Sequence, residues 1–556
     1  MRFLLLVMAG SSVLLAQEAE LPPVKAVEVP ARIGVLGSVT IALPEVIQKV
    51  LASDRDLAIS RILREEASYN VKGARGVYDP RLGLNASRLK SVAPVTSLIG
   101  GSANGKLTTE SYVADPQLSG LFPALGGSYK LDFSSSRQAS DSTFLTLNPQ
   151  YPTSLNFSVT QPLLRGLLYD DNRHRIAVAK KNVQLTDEQF RQRVTDVVTQ
   201  AVQAYWELDF AYRNLQVQTQ AVTLAGQQDA SNRRQVTQGL LAPSDVVATQ
   251  TQLATFQQNV FAAQQTLTAA ENNLKSLMLP DRTDLMWGMA LQPEYRTDPR
   301  AALPALDDAV KAALAARPER AQSQIALEVN QLDARLSREQ ARAQIDAVAS
   351  VSAVGVAGRV LPPQPNPFTA GFVPLIAGIN ALNVLAGLPP LVISSGTSAI
   401  APVFVGGYGQ SLSVLGSRDY TTAQFGVQVS FPLRNRTAQA QMDVAGAEGR
   451  RLKAQQQQIE IAIELDVRNA LQAVSSARGR LDAATTAREY AERQYGSEQR
   501  QFQAGTSTVF LVLQRQTDLI AARTREVRAR ADSGQASASL DRATARTIEA
   551  QGISLR

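Results

Sequence analysis

The sequence predicts a mainly α fold with β: long coiled-coil helices and strands of a transmembrane β-barrel, in two internal structural repeats. Three observations predict it. Apolar residues recur every seven positions through two very long proline-free stretches, short segments alternate apolar with polar residues, and matching stretches recur in the same order about half a chain apart.

The chain opens with an export signal over residues 1–16: Arg2 supplies the positive charge, 3–7 and 13–15 are apolar, and Ala16 is a small residue at a cleavage position. The mature chain is expected to start near Gln17, with 17–38 as an N-terminal extension. With no cysteine in 556 residues, neither a disulfide frame, a thiolate metal site nor a cysteine-linked lipid anchor can form. The net charge of +7 is spread along the chain without a dense basic block, which reads as solvated helix surface and gives no argument for nucleic acid.

The duplication carries the most information. IALPEVIQKVL at 41–51 resembles PALDDAVKAAL at 304–314, and FSVTQPL at 157–163 resembles VQVSFPL at 427–433. QVTQG at 235–239, leading to VVATQTQL at 246–253, resembles QFQAG at 501–505, leading to VLQRQTDL at 512–519. All three offsets fall between 263 and 270 positions, so the chain divides into a first repeat at 39–300 and a second at 301–556. Each is expected to run helix, β-hairpin (81–163 and 347–433), long helix, tight turn (239–243 and 505–508), helix.

No proline interrupts the chain between Pro162 and Pro243, or after Pro432, so each stretch can remain helical. The first carries Val194, Ala201, Leu208, Leu215 and Val222, with Val198, Tyr205 and Tyr212 between them. The second carries Ile463, Ala470, Ala477, Ala484 and Ala491, with Val467, Val474 and Leu481. A sustained seven-residue repeat specifies a supercoiled seam, and its many alanines bring backbones close while leaving little apolar area per pair. Helices over about 171–237 and 436–503 would each reach roughly 100 Å at about 1.5 Å per residue. Shorter helices are expected at 43–75, 244–278, 305–345 and 509–544, two of which, end to end, match one long one.

The extended segments have period two. Leu155, Phe157 and Val159 alternate with Asn156, Ser158 and Thr160, and Phe425, Val427, Val429 and Phe431 alternate with Gln424, Gly426, Gln428 and Ser430. The apolar sets are the candidate lipid-facing residues. Segments at 81–91 and, more weakly, 347–358 complete one hairpin per repeat, giving four strands in all. A spanning sheet cannot leave open edges in lipid, so copies must pool strands; three chains of four make a 12-stranded barrel with a usable lumen, whereas two make an eight-stranded one filled by side chains. Tyr129, Leu131 and Phe133 form a further alternating run, placed beyond the membrane, and 95–127 and 361–417 read as external loops. The charge-free stretch at 368–404 is interrupted by Pro374, Pro389, Pro390, Pro402, Asn380 and Asn383, which argues against a spanning helix.

This plan resembles the TolC-like outer-membrane efflux protein family over nearly the whole mature chain. The resemblance is carried by the duplicated helix–hairpin–helix order, by Gln161, Pro162 and Leu163 and Phe431, Pro432 and Leu433 running into long helices, and by the turns starting at Gly239 and Gly505. It implies a homotrimer with a 12-stranded outer-membrane barrel and a periplasmic tunnel, the coiled-coil helices themselves forming a helical barrel. That assembly would dock a periplasmic adaptor and an inner-membrane pump, as the exit duct of a tripartite efflux or type I secretion system. It also implies that the turn residues Gly239, Leu240, Ser244, Asp245, Gly505, Thr506 and Ser507 form the adaptor-docking tip. A glycine turn that simply reverses a helical hairpin gives the same pattern. The family's aspartate six positions beyond each turn glycine is matched by Asp245 but replaced by Leu511, with Gln514 where an aperture acid can lie, which counts against an acidic ring.

No set of residues argues for an enzyme, a metal or a cofactor. His174 is the only histidine, which excludes multi-histidine metal sites and leaves a catalytic triad without a partner. Asp170 with Asp171, and Asp307 with Asp308, precede helices and read as caps favoured by the helix dipole. A periplasmic coiled-coil adaptor shares the heptads, and a non-specific outer-membrane porin shares the barrel. The duplicated plan with apolar strand faces separates this chain from the first, and the amount of helix from the second.

Overall fold

The computed structural model describes residues 32–95, 105–142, 145–294, 302–362, 371–391 and 400–554. The expected export signal lies outside these residues, as does most of the N-terminal extension. Two compact units are present: Met1–Arg61 with Gln189–Arg320 and Ile459–Arg556, and Ile62–Glu188 with Ala321–Gln458.

The first unit is helical. Its elements are α1 (Leu43–Ser53), the start of α2 (Arg55–Arg75), most of α3 (Asp171–Thr237), α4 (Pro243–Met278) and α5 (Leu306–Ala316). They are joined by the C-terminal part of α9 (Arg436–Gln503), α10 (Val509–Ala543) and the short α11 (Thr547–Ala550). The heptad positions Val194, Val198, Ala201, Tyr205 and Leu208 are buried against Val46, Leu274, Met278 and Ala531. Ile463, Val467, Ala470 and Val474 pack with Ala309, Ala313 and Leu540.

A feature absent from the sequence reading ties this unit together. β1 (Gly37–Ile41) pairs in parallel with β6 (Met289–Pro293), bringing the two ends of the first repeat together. The hydroxyl of Tyr205 donates to the carbonyl of Glu294 at 3.1 Å.

Two expected helices are each divided in two. The segment 43–75 breaks at Asp54, whose backbone is extended and whose Oδ1 accepts from the Leu57 amide at 2.9 Å, so that one residue ends α1 and caps α2. The segment 305–345 breaks at Arg317, held extended by Pro318 at the start of α6 (Pro318–Gln340). Its last residues belong to a strand.

The second unit is built on one antiparallel sheet of β2 (Arg81–Pro94), β3 (Lys106–Leu121), β4 (Ser128–Ser140), β5 (Leu147–Pro162), β7 (Gln344–Val360) and β8 (Thr421–Ser430), in that order. Six strands replace the four expected, because the first repeat contributes two hairpins. The correction has a physical cause: Pro116 lies inside β3, where a proline argues against a strand, and β3 alternates too weakly to stand out from a loop. The count of 12 for three copies therefore no longer follows from this chain. The segment 361–417, read as a loop, holds α7 (Val373–Leu385) and α8 (Tyr408–Ser417). α8 packs on β5 and β7, where Gly355 leaves room for the Ser411 carbonyl. Among the described residues no helix is long and apolar enough to cross a membrane.

Candidate functional site

Register turns the six strands into two faces. Leu82, Leu118, Leu131, Phe157, Val351 and Ala423 lie side by side in one unbroken row across all of them. Flanking rows on the same face bring together Tyr129, Val159, Ala349 and Phe425, and then Ala347 with Val427 and Ile345 with Val429. Leu155, Phe157, Phe425, Val427 and Val429 are exposed on this face, and Val159 is half-buried. Phe431 is exposed too, but it falls one residue past the end of β8.

The rows between point to the other face, and two of them next to the Phe157 row carry no large apolar side chain, although Val348 and Val354 lie farther along the same face. One contains Arg81, Ser119, Lys130, Ser158, Ser350 and Gln424; the next contains Gly83, Gln117, Asp132, Asn156, Ser352 and Thr422. Lys130 pairs with Asp132 at 2.8 Å, and Ser134 donates to Asp115 at 2.7 Å.

The apolar face ends in aromatic and charged residues. Six residues along the strands from the Phe157 row, Arg88 lies opposite Tyr112 and Tyr112 opposite Arg137, with both guanidinium groups against the Tyr112 ring at 5.3 and 5.9 Å from its centre. Tyr151 occupies β5 on the same face. Tyrosine and arginine at the limit of an apolar band are side chains that a membrane interface favours. Sequence reading missed this row; a tyrosine shared between two arginines on neighbouring strands is visible only once register is known.

The two helical turns are the same structure twice. At the first, Gly239 has φ +72°, its amide bonds the Val236 carbonyl at 2.9 Å, and the Leu240 amide bonds the Gln235 carbonyl at 2.8 Å. At the second, Gly505 has φ +75°, with Phe502 and Gln501 accepting at 3.0 and 2.9 Å. This bonding pattern closes a helix on a left-handed residue, and it leaves both glycines exposed. The following helices start differently. α4 begins on Pro243 with Asp245 in its first turn and Ser244 exposed, whereas Thr508 caps α10 by accepting from the Leu511 amide at 3.4 Å. Thr506 donates to the Gln501 carbonyl at 3.1 Å and Ser507 bonds Glu498.

Exposed apolar side chains surround these turns. Leu240 is 70% exposed and Phe510 73%, with Val247 and Leu511 also at the surface. Phe510, Val247 and Leu511 were missing from the sequence-derived set. A signal for Phe510 existed: it lies off the buried stripe of Val509, Val512, Leu513 and Gln516 in α10.

Behind each turn the helices are pinned by polar contacts. Asp229 on α3 accepts from Thr249 of α4 at 3.0 Å and from Arg233 at 2.8 Å. Glu492 on α9 accepts from Arg488 at 3.1 Å and from Arg523 of α10 at 2.9 Å. Burial pushes the Glu492 carboxyl up, but the bonds from Arg523 and Arg488 outweigh it and hold the group below the usual glutamate value.

His174 lies between the Tyr169 hydroxyl and Asp333, each at 3.1 Å, a structural bridge. Asp170 caps α3 through the Arg173 amide at 2.7 Å. Among the described residues no group of acids and His174 is arranged to hold a metal.

The sequence pattern described as "Outer membrane efflux protein" matches residues 111–278 and 403–546. No curated protein sequence matches the chain. In fold it is similar to the outer-membrane channel OprN, at 13% identity with 90% of this chain and 89% of that one covered and a TM-score of 0.60. The Campylobacter jejuni CmeC outer-membrane channel gives 13% identity, 92% and 90% coverage and a TM-score of 0.59. The Vibrio cholerae outer-membrane protein VceC gives 13%, 90% and 95%, and 0.56.

Proposed function

The chain belongs to the outer membrane efflux protein family, and from that premise we propose that it is the exit duct of a tripartite efflux or type I secretion system. It is an outer-membrane channel protein of the TolC type, with long coiled-coil helices. In the proposed assembly three copies pool their sheets into one barrel, the helices continue the passage into the periplasm, and the Gly239 and Gly505 turns meet a periplasmic adaptor that couples the duct to an inner-membrane pump.

The observation that carries this reading is the division of the sheet into a face with an unbroken apolar row from Leu82 to Ala423 and a face with rows of Ser, Asn, Gln, Lys and Asp. The apolar face suits lipid, and the polar rows keep a lumen hydrated. Such a conduit does no chemistry on its cargo; the driving energy comes from the pump, and opening loosens packed helices near the turns. Leu240 and Phe510 give those turns apolar anchors of the kind a helical hairpin partner buries.

The test is extraction of the mature protein from membranes in mild detergent, with its mass read by light scattering after subtraction of the detergent. A detergent-dependent trimer supports the duct. A monomer that stays soluble without detergent overturns it in favour of a periplasmic coiled-coil protein.

A further inference from the structure

We propose that all six strands of the sheet are wall strands, that β8 of one copy pairs antiparallel with β2 of the next, and that three copies close an 18-stranded barrel. This rests on the trimeric duct proposed above and changes its dimensions. Barrel diameter grows roughly linearly with strand number, so the lumen would be about 1.5 times as wide as that of a 12-stranded wall.

Strand direction is the first argument. Every neighbouring pair from β2 to β8 is antiparallel, so with six strands the two edges run in opposite senses. Edge can then meet edge antiparallel around a closed ring, as it could not with an odd number per copy. The edges are also bare: every residue of β8 and all of β2 except Gly83 is exposed. Open backbone edges cannot face hydrocarbon, and a second copy of this sheet supplies the missing bonds for both. At 14 and 10 residues, β2 and β8 are long enough for a tilted spanning strand of about 9 to 11 residues.

The second argument concerns β3 and β4, the strands beyond the expected four. A hairpin folded outside the membrane would have no reason to share the face division of its neighbours. Yet Leu118 and Leu131 sit in the same apolar row as Phe157, and Gln117 and Asp132 in the same polar row as Asn156. The Arg88, Tyr112 and Arg137 row crosses β2, β3 and β4, so these strands carry the interface residues at the same height. Removing β3 and β4 from the wall would take Leu118 and Leu131 out of the row and leave Leu82 on β2 and Phe157 on β5 without their partners in the belt.

The chain has no cysteine, so single introduced thiols report cleanly. In membranes, a water-soluble maleimide is expected to label Gln117→Cys and Asp132→Cys at least tenfold faster than Leu118→Cys and Leu131→Cys. Equal labelling of all four would take the hairpin out of the wall. Cryo-electron microscopy of the unmodified trimer in nanodiscs reads the number directly: 18 strands with a β8–β2 seam are expected. Twelve strands with β3 and β4 outside would overturn this inference and leave the duct standing, whereas a protein with no ring would end both.

Discussion

Gly534 of α10 lies directly against the indole of Trp206 of α3, so close that a Cβ at position 534 would overlap Cε2, Cδ2 and Nε1 of the ring. A glycine inside a helix ordinarily costs about 1 kcal/mol relative to alanine. Here the missing Cβ allows a buried aromatic residue at the helix contact. Gly534→Ala should therefore destabilise the protein by about 1–3 kcal/mol despite its better helix propensity. Trp206→Ala in the same chain should remove the overlap, so that the double variant loses less than the two single losses added. Helical unfolding followed by circular dichroism in detergent reads both; a stabilised Gly534→Ala would show that the helices can move apart freely.

The Glu492 bridge predicts an acid limb to stability. The carboxyl is held below 4.5, its unfolded value, so between the two values the unfolded chain binds more protons than the folded one and stability rises with pH. The contribution is complete above about 4.5 and is lost as pH falls through the folded value. Glu319, which Arg317 holds low against the upward pull of burial, adds a limb of the same sign. Melting temperature measured from neutral pH into the acid should fall less steeply for Glu492→Gln than for the native chain, with the two curves converging at the acid end. Parallel curves would mean that the bridge does not form.

The turn glycines separate backbone from contact. Nothing lies within 4 Å of a Cβ built at Gly239 or Gly505, so only their positive φ resists substitution. Alanine should cost about 1 kcal/mol at each position, and asparagine less, because its short polar side chain tolerates the left-handed region. Phe510→Ser should leave the melting temperature within a degree or two, since the ring is exposed, yet weaken retention of the cognate adaptor on the immobilised protein. Unchanged adaptor retention would remove Phe510 from the proposed docking surface.

How much was legible beforehand follows from the range of each interaction. The long helices were readable because the repeat of Val194, Ala201 and Leu208 is local and sustained, and all three are buried. The turns were readable because a glycine forced to positive φ leaves a mark at one position. Breaks at Asp54 and Arg317 were missed even though a capping aspartate and a proline at 318 were in view. Strand β3 was read as a loop because of Pro116, and the place of β4 between β3 and β5 was not seen, since only pairing shows that Leu118 and Leu131 meet. The buried ion cluster was invisible: Glu271 is 1% exposed, bonded by Arg32 at 2.8 Å and facing Lys275 at 3.7 Å, and the arginine lies 239 positions away.

The same pairing fixes a prediction about depth. Phe157 lies six residues from Tyr151 at the interface row, and its partner Val351 lies six from Ile345 at the other end of the belt, so the pair sits near the middle of the apolar face. Arginine on a lipid face costs about 2–4 kcal/mol at the bilayer midplane and about 0–1 near the interfaces. Phe157→Arg should therefore cost several times more than Val429→Arg. Ser158→Arg, one residue along but in the polar row, should be nearly neutral. Denaturant unfolding of the three variants in lipid vesicles measures the order directly. A Ser158→Arg loss equal to that of Phe157→Arg would mean that both faces meet the same medium, and the division of the sheet would then have another origin than lipid against water.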